Sequence, residues 1–281
     1  MSKKRREIPV FDHPIIETHC HLDYLKDRPL SETLEQTRQV NIEKVITIAV
    51  SPGNLAAVRE LSQVEPWVFG TQGIHPHEAE TYTDAVEEEI RAHASDEKIV
   101  AVGEIGLDYF YDNADRDVQR EVFRRQLQIA SDLDRPVVIH SREADDDTIE
   151  ILKEFEASLK RRGVIHSFTS GPGLAQYAIA QGWCLGFNGI TTFNKAENVR
   201  DIVRMTPMEQ ILLETDSPFL TPVPYRGREN APFYIPFVAE KIAEVKALPL
   251  DQVLETAYRN SLRTFFPVQL PASQPGINDR R

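Results

Sequence analysis

The chain has 281 residues, is 41% hydrophobic and 27% charged, and carries a net charge of −12. That length fits one α/β barrel and can bury most of the surface the unfolded chain exposes. The composition is that of an ordinary cytosolic globular protein, and no apolar run approaches the roughly 20 residues a bilayer crossing needs. The acidic balance excludes broad electrostatic capture of nucleic acid, so a polyanionic substrate would need local positive charge from bound cations or a few placed arginines.

Residues 1–12 read as a basic arm, its Lys3-Lys4-Arg5-Arg6 run solubilising and disordered in preference to a nuclear address. No apolar region follows it, so it is not a secretory signal. From 13 to 266 the pattern is one domain. Apolar, β-rich segments fall at 14–23 (PIIETHCHLD), 44–51 (KVITIAVS), 67–77 (WVFGTQGIHPH) and 98–108 (KIVAVGEIGLD). Four more follow at 136–142 (PVVIHSR), 163–171 (GVIHSFTSG), 183–189 (WCLGFNG) and 210–220 (QILLETDSPFL). Near-continuous apolar runs suit strands buried on both faces of a parallel sheet.

Helices are predicted between them. Residues 117–132 set Val118, Phe123, Leu127 and Ile129 toward one side, and 147–160 carry Ile149, Leu152, Phe155 and Leu159 at helical spacing. Shorter helices are expected after Ser31, after Pro52, and around 83–93 and 197–205, with two closing helices at 233–246 and 250–266. This alternation reads as a (β/α)₈ TIM barrel. A doubly wound sheet is the alternative, disfavoured because no Gly-rich phosphate turn follows the first strand. The tail 267–281 reads as loosely ordered. The two cysteines, Cys20 and Cys184, argue against a disulfide framework and suit a reducing, cytoplasmic compartment.

In such barrels chemistry sits at the carboxyl ends of the strands. Six of the eight histidines, His19, His21, His75, His77, His140 and His166, fall there. Residues two apart on a strand share a face, so His19 points inward with His21 while Cys20 points away. The same alternation pairs His75 with His77, Glu104 with Asp108, His140 with Arg142, and Glu214 with Asp216. Unpaired, these groups are expensive to bury. One or two cations would convert them into ligands, and imidazole mixed with carboxylate suits Zn²⁺, Mn²⁺, Co²⁺ or Fe²⁺ better than Ca²⁺, with Mg²⁺ also open. Each residue has a blander reading. His166 alone is a hydrogen-bonded core histidine, Asp216 a turn residue, and Arg226 and Arg228 part of a solvated loop. Glu104 sits in GEIGLDY between two glycines that strip bulk away from it.

The segments ETHCHLD, GIHPHEA, VGEIGLDY, PVVIHSREA, GVIHSFTSG and LLETDSPFLTP, with PYRGREN and a closing YRNSLRTFF, run in order from Glu17 to Phe266. In this the chain resembles the TatD-related metal-dependent hydrolases, a branch of the amidohydrolase-like barrels whose members act as deoxyribonucleases on DNA ends with two divalent ions. The resemblance implies one metal held by His19, His21 and Asp216, a second by His140 and His166, and Glu104 bridging them. His75, His77, Arg142 and Tyr109 match positions near the substrate, and Arg226 is a candidate to neutralise a flanking phosphate. Asp216 is expected to orient the attacking water and accept its proton, with Glu214 in support. Glu17 departs from the family, where many members carry aspartate. From its strand face it is expected either to accept a hydrogen bond from a ligand ring or a neighbouring inward group, or to pair with a basic residue at the barrel floor. The implied activity is 3′-to-5′ exodeoxyribonuclease action on single-stranded DNA ends, with no membrane and no obligate protein partner. Hydrolysis of another bond, such as a D-aminoacyl-tRNA ester or an amide, and a catalytically silent binding platform are the alternatives.

Overall fold

The apolar runs become eight strands in the computed structural model, which describes residues 5–267. They are β1 (Ile15–Cys20), β2 (Ile42–Thr47), β3 (Val68–Gln72), β4 (Ile99–Asp108), β5 (Val137–Arg142), β6 (Gly163–Ile165), β7 (Cys184–Phe187) and β8 (Ile211–Leu213). Successive strands pair in parallel from β1 through β8. Parallel neighbours require long crossovers, and helices supply them. β8 meets β1 through a parallel bridge between Cys20 and Ser217, where the His21 N–H donates to the Ser217 carbonyl at 2.8 Å. The fold is the expected (β/α)₈ barrel.

The outer helices are α1 (Leu30–Gln39), α2 (Leu55–Leu61), α3 (Asp84–His93), α4 (Arg116–Asp132), α5 (Asp145–Glu154), α6 (Pro172–Ala180), α7 (Glu197–Met205), α8 (Ile235–Lys246) and α9 (Leu250–Phe265). Sequence reading missed α6. Its PGLAQYAIA run is too uniformly apolar for a periodic face to mark it, and only Pro172 in the first turn signals a start. α5 ends earlier than expected, leaving Phe155 and Leu159 buried in the following turns. Among the described residues no helix is long and apolar enough to cross a membrane.

Two packed regions set the site's position. Outer faces of the strands meet the helices in one continuous core. Inside the barrel a second cluster gathers Ile16, Val100, Val138, Val164 and Leu212 from the starts of their strands, and Leu262 and Phe265 of α9 seal it with Phe266 just beyond the helix. The amino end of the barrel is therefore plugged by apolar side chains, and the histidines and carboxylates gather at the carboxyl end.

Two expectations about the ends need revision or fall outside view. The basic arm, expected to be disordered, is docked from Arg5 onward. Arg5 Nε donates to the Pro224 carbonyl at 3.1 Å, Arg6 pairs with Glu240, and the Tyr225 hydroxyl donates to the Arg6 carbonyl at 2.8 Å. The tail expected to be loose lies, apart from Pro267, outside the described residues.

Candidate metal centre

The site assembles from strand ends and the turns just past them. His19 is the penultimate residue of β1 and His21 follows its end, both buried. Glu104 stands within β4 at 3% exposure, and His140 within β5. His166 follows the short β6 directly. Asp216 lies beyond β8 with φ 57, in the left-handed region that aspartate tolerates better than most residues, and its N–H donates to the His19 carbonyl at 2.9 Å.

One carboxylate organises the cluster. Glu104 Oε2 faces His19 Nε2 at 3.5 Å, while its Oε1 meets His166 Nε2 at 2.6 Å, His140 Nδ1 at 3.1 Å and His75 Nε2 at 3.5 Å. Asp216 Oδ1 lies 3.7 Å from His19 Nε2 and 3.6 Å from His21 Nε2. Glu104 thus turns one oxygen toward the His19, His21 and Asp216 side and the other toward His140 and His166. The flanking glycines do something other than clear space around it. Gly106, at φ 137, packs so closely on β5 that a Cβ there would lie 2.0 Å from the His140 carbonyl oxygen.

The charges follow from this arrangement. Burial alone would raise the Glu104 carboxyl, but the neighbouring His166 and His75 and the close approach of the His140 and His166 rings pull it well below the usual range. Burial would lower His166, and the Glu104 charge beside it instead lifts it to about 9. His19 is held well below its ordinary value by burial and by His166, whose ring stacks on it at 3.8 Å. His75 is depressed in the same way, burial leading.

Asp108 fixes the tautomers. It closes β4, fully buried, and its Oδ2 accepts from His77 Nε2 and His140 Nε2, each at 2.9 Å. Burial would raise this carboxyl, but the two histidines hold it far below the usual range. With Nε2–H committed to Asp108, His140 turns Nδ1 to the centre, the arrangement by which an outer carboxylate orients a ligating imidazole. His75 differs. Its Nδ1 accepts the His77 backbone N–H at 3.1 Å, so in the neutral ring the proton sits on Nε2 and faces Glu104. Although His75, Glu104 and His140 have ligand atoms close enough to share an ion, that tautomer makes His75 a hydrogen-bond donor in the site.

The donors fit divalent cations. Both ring nitrogens of His19 and of His166, and Nδ1 of His21, are buried without an aligned hydrogen bond. Buried polar atoms rarely stay unpaired. His19, His21 and Glu104 offer one group of ligand atoms within 4.8 Å of one another, and His19, His166 and Glu214 offer another. Imidazole with carboxylate oxygen is the donor set of divalent transition metals.

The cluster opens into a cavity of about 490 Å³ lined by His21, His75, His77, His140, Arg142, His166 and Asp216 among others. All six residues expected as ligands therefore converge, and His75, His77 and Arg142 reach the same cavity. Tyr109 and Arg226 do not line it. The Tyr109 hydroxyl donates to Asp147 at 2.5 Å and its ring lies under Arg116, while the Arg226 guanidinium sits 3.8 Å over the Phe193 ring. Tyr111, two residues on, faces the cavity in place of Tyr109.

Among the described residues Glu17 is hydrogen-bonded by no ligand ring and ion-paired with no basic residue. Its Oε1 accepts the N–H groups of His19 and Thr215, each at 3.0 Å, and burial pushes its carboxyl up to about 8. Glu214 accepts from the Ser167 N–H at 2.6 Å and from Asn188 Nδ2 at 3.2 Å, supporting the loop that carries His166. Sequence reasoning paired Asp108 with Glu104 as an inward group without foreseeing its hold on His77 and His140, and it overlooked Tyr24, Tyr111 and Phe219 at the mouth; the aromatic runs in GLDYFY and DSPF were the available signals.

A parallel barrel with a histidine and carboxylate cluster at its carboxyl mouth has the architecture of a metal-dependent hydrolase. The family model described as TatD related DNase matches residues 16–266. This chain belongs to the TatD family. It is 33% identical to the metal-dependent hydrolase YabD of Bacillus subtilis, covering 89% of this chain and 98% of that one. It is 34% identical to YcfH of Escherichia coli, over 89% and 95% of the two chains. The crystal structure of the TatD homologue YjjV from Escherichia coli superposes with a TM-score of 0.84 at 30% identity, covering 92% of this chain and 98% of the other.

Proposed function

We propose that this metal-dependent hydrolase cleaves phosphodiester bonds at single-stranded DNA ends in the 3′-to-5′ direction, using two divalent cations. The observation that carries the two-cation reading is Glu104, whose oxygens face separate ligand sets. His19, His21 and Asp216 would hold one ion, His140 and His166 the other, with Glu104 shared between them. Cations held there would stabilise charge developing on the phosphoryl oxygens and acidify attacking water. The substrate reading is supported by the matched family's description as a DNase, and the polarity by resemblance to its members.

The chain's own residues supply the rest. Asp216, lining the cavity beside His19 and His21, orients the attacking water and accepts its proton. His75 donates its Nε2–H into the site, and Arg142 offers a cation for a phosphate flanking the scissile bond. The positive charge required for an acidic protein is thus confined to the cavity, which fits capture of a chain end better than tracking along a backbone.

Metal-loaded protein is screened against end-labelled single-stranded DNA, RNA and D-aminoacyl-tRNA, with and without chelator. Stepwise shortening of DNA from its 3′ end, abolished by chelation and restored by a divalent ion, is expected. Rapid cleavage of closed circular DNA, ester hydrolysis without DNA cleavage, or full activity in protein shown to be metal-free would each overturn this reading.

A further inference from the structure

Three aromatic residues stand exposed among the described residues, Phe110 at 49%, Tyr111 at 57% and Phe219 at 52%, and all three are at or beside the mouth of the catalytic cavity. Leaving such rings in water is unusual enough to ask what covers them. They fall into two walls. Phe219 follows β8 and lies edge-on to His21 at 6.3 Å, while Tyr24, after β1, stacks on the same imidazole at 5.2 Å and 17°. Across the mouth Tyr111, after β4, sits edge-on to His77 at 5.3 Å. The Arg142 guanidinium lies 4.3 Å over Phe110 and 5.7 Å over Tyr111.

In an eight-strand ring the β8–β1 side and the β4–β5 side are opposite, with β2 and β3 between them one way and β6 and β7 the other. The walls therefore flank the ligand cluster. The second is also fixed: Asp108 Oδ1 accepts the N–H groups of Phe110 at 3.0 Å and Tyr111 at 2.9 Å, while its Oδ2 holds His140 and His77. One buried carboxylate ties the rim to the centre.

We propose that these walls are stacking platforms for the unpaired bases on either side of the scissile phosphate, Phe219 with Tyr24 receiving one and Tyr111 with Phe110 and Arg142 the other. The proposal rests on the phosphodiester reading of the centre. It explains how a chain of net charge −12 grips a polyanion, because base stacking on aromatic faces needs no cationic groove and tolerates any sequence. Paired bases in a duplex have their faces covered, so the device selects single strands.

The test crosses substrate with protein. Holoenzyme hydrolyses single-stranded oligonucleotides ending in an ordinary nucleotide or an abasic one. Wild type, Phe219→Ala, Tyr111→Ala and Phe219→Trp are compared, with unfolding temperature and metal content measured for each. In wild type an abasic end should raise KM by roughly 5- to 150-fold, the span of stacking on one aromatic side chain. Phe219→Ala or Tyr111→Ala should raise KM for the ordinary end by a similar factor, and one of the two should erase the discrimination against the abasic end. Phe219→Trp should retain tight KM. Equal KM for both ends in wild type, or full discrimination kept in both alanine variants, would overturn the platforms while leaving the hydrolase reading intact. Failure to cleave any oligonucleotide would overturn both.

Discussion

Glu17 offers a measurement that separates burial from catalysis. Its carboxyl is fully buried and held at about 8 by that burial, against an ordinary 4.5, despite the hydrogen bonds it accepts from Thr215 and His19. In the unfolded chain it titrates near 4.5, so between that pH and about 8 the native state holds a proton that the unfolded state has released. A group of this kind contributes its full stability below pH 4.5 and loses it as pH rises toward 8. One pH unit in that window is worth about 1.4 kcal/mol, so from pH 5 to pH 7.5 the loss is about 3 kcal/mol. Glu17→Gln does not titrate, and its amide oxygen accepts the same two backbone N–H groups. The stability of the variant relative to wild type should therefore rise by about 3 kcal/mol between these pH values. Urea unfolding of both proteins in chelator reads this directly, because the other titrating groups are common to the two and cancel to first order. A gap that stays constant within 1 kcal/mol, or that closes with rising pH, would refute the argument and show Glu17 to be ionised in the native state.

Three further outcomes are expected. Asp216→Asn should lower turnover by about 10²- to 10⁴-fold, the usual worth of a positioned base, with thermal unfolding within a few degrees of wild type; near-normal turnover would remove Asp216 from its role. Asp108→Asn should weaken metal binding by roughly 10- to 100-fold through loss of the His140 anchor, which equilibrium competition with a chromogenic chelator reads, and unchanged affinity would detach Asp108 from the centre. Because Glu104 lifts His166 to about 9 in the metal-free site, metal binding should displace a proton, and apparent affinity should climb as pH rises toward 9. Calorimetry in buffers of different ionisation enthalpy counts the proton, and a count of zero near pH 7 would mean that His166 is neutral there or not a ligand.

Much of this was legible in the chain. The eight apolar runs and their helical spacers specify the barrel, since a strand buried on both faces and a helix buried on one leave different periodicities. Clustering of His19, His21, Glu104, His140, His166 and Asp216 at strand ends marks the centre before any coordinates. Strand alternation, though, located residues by a rule that does not hold throughout. β3 ends at Gln72, so His75 and His77 reach the cavity from a 3₁₀ turn and not from a shared strand face. The register of β1 against β2 shifts twice.

What only the tertiary structure decided is where short-range geometry chooses between neighbours. The resemblance singles out Tyr109; Asp147 captures its hydroxyl, and the loop pinned by Asp108 presents Tyr111 instead. His75 and His140 both read as strand-end imidazoles in the sequence, yet one is made a donor by a backbone N–H and the other is turned inward by a carboxylate. Glu17 shares a strand with the expected ligand His19 and serves the backbone instead. A sequence fixes which groups are too costly to bury alone, because that cost belongs to the side chain itself. It does not fix which partner satisfies each one, because a hydrogen bond depends on tenths of an ångström that arise only when eight strands close around a common axis.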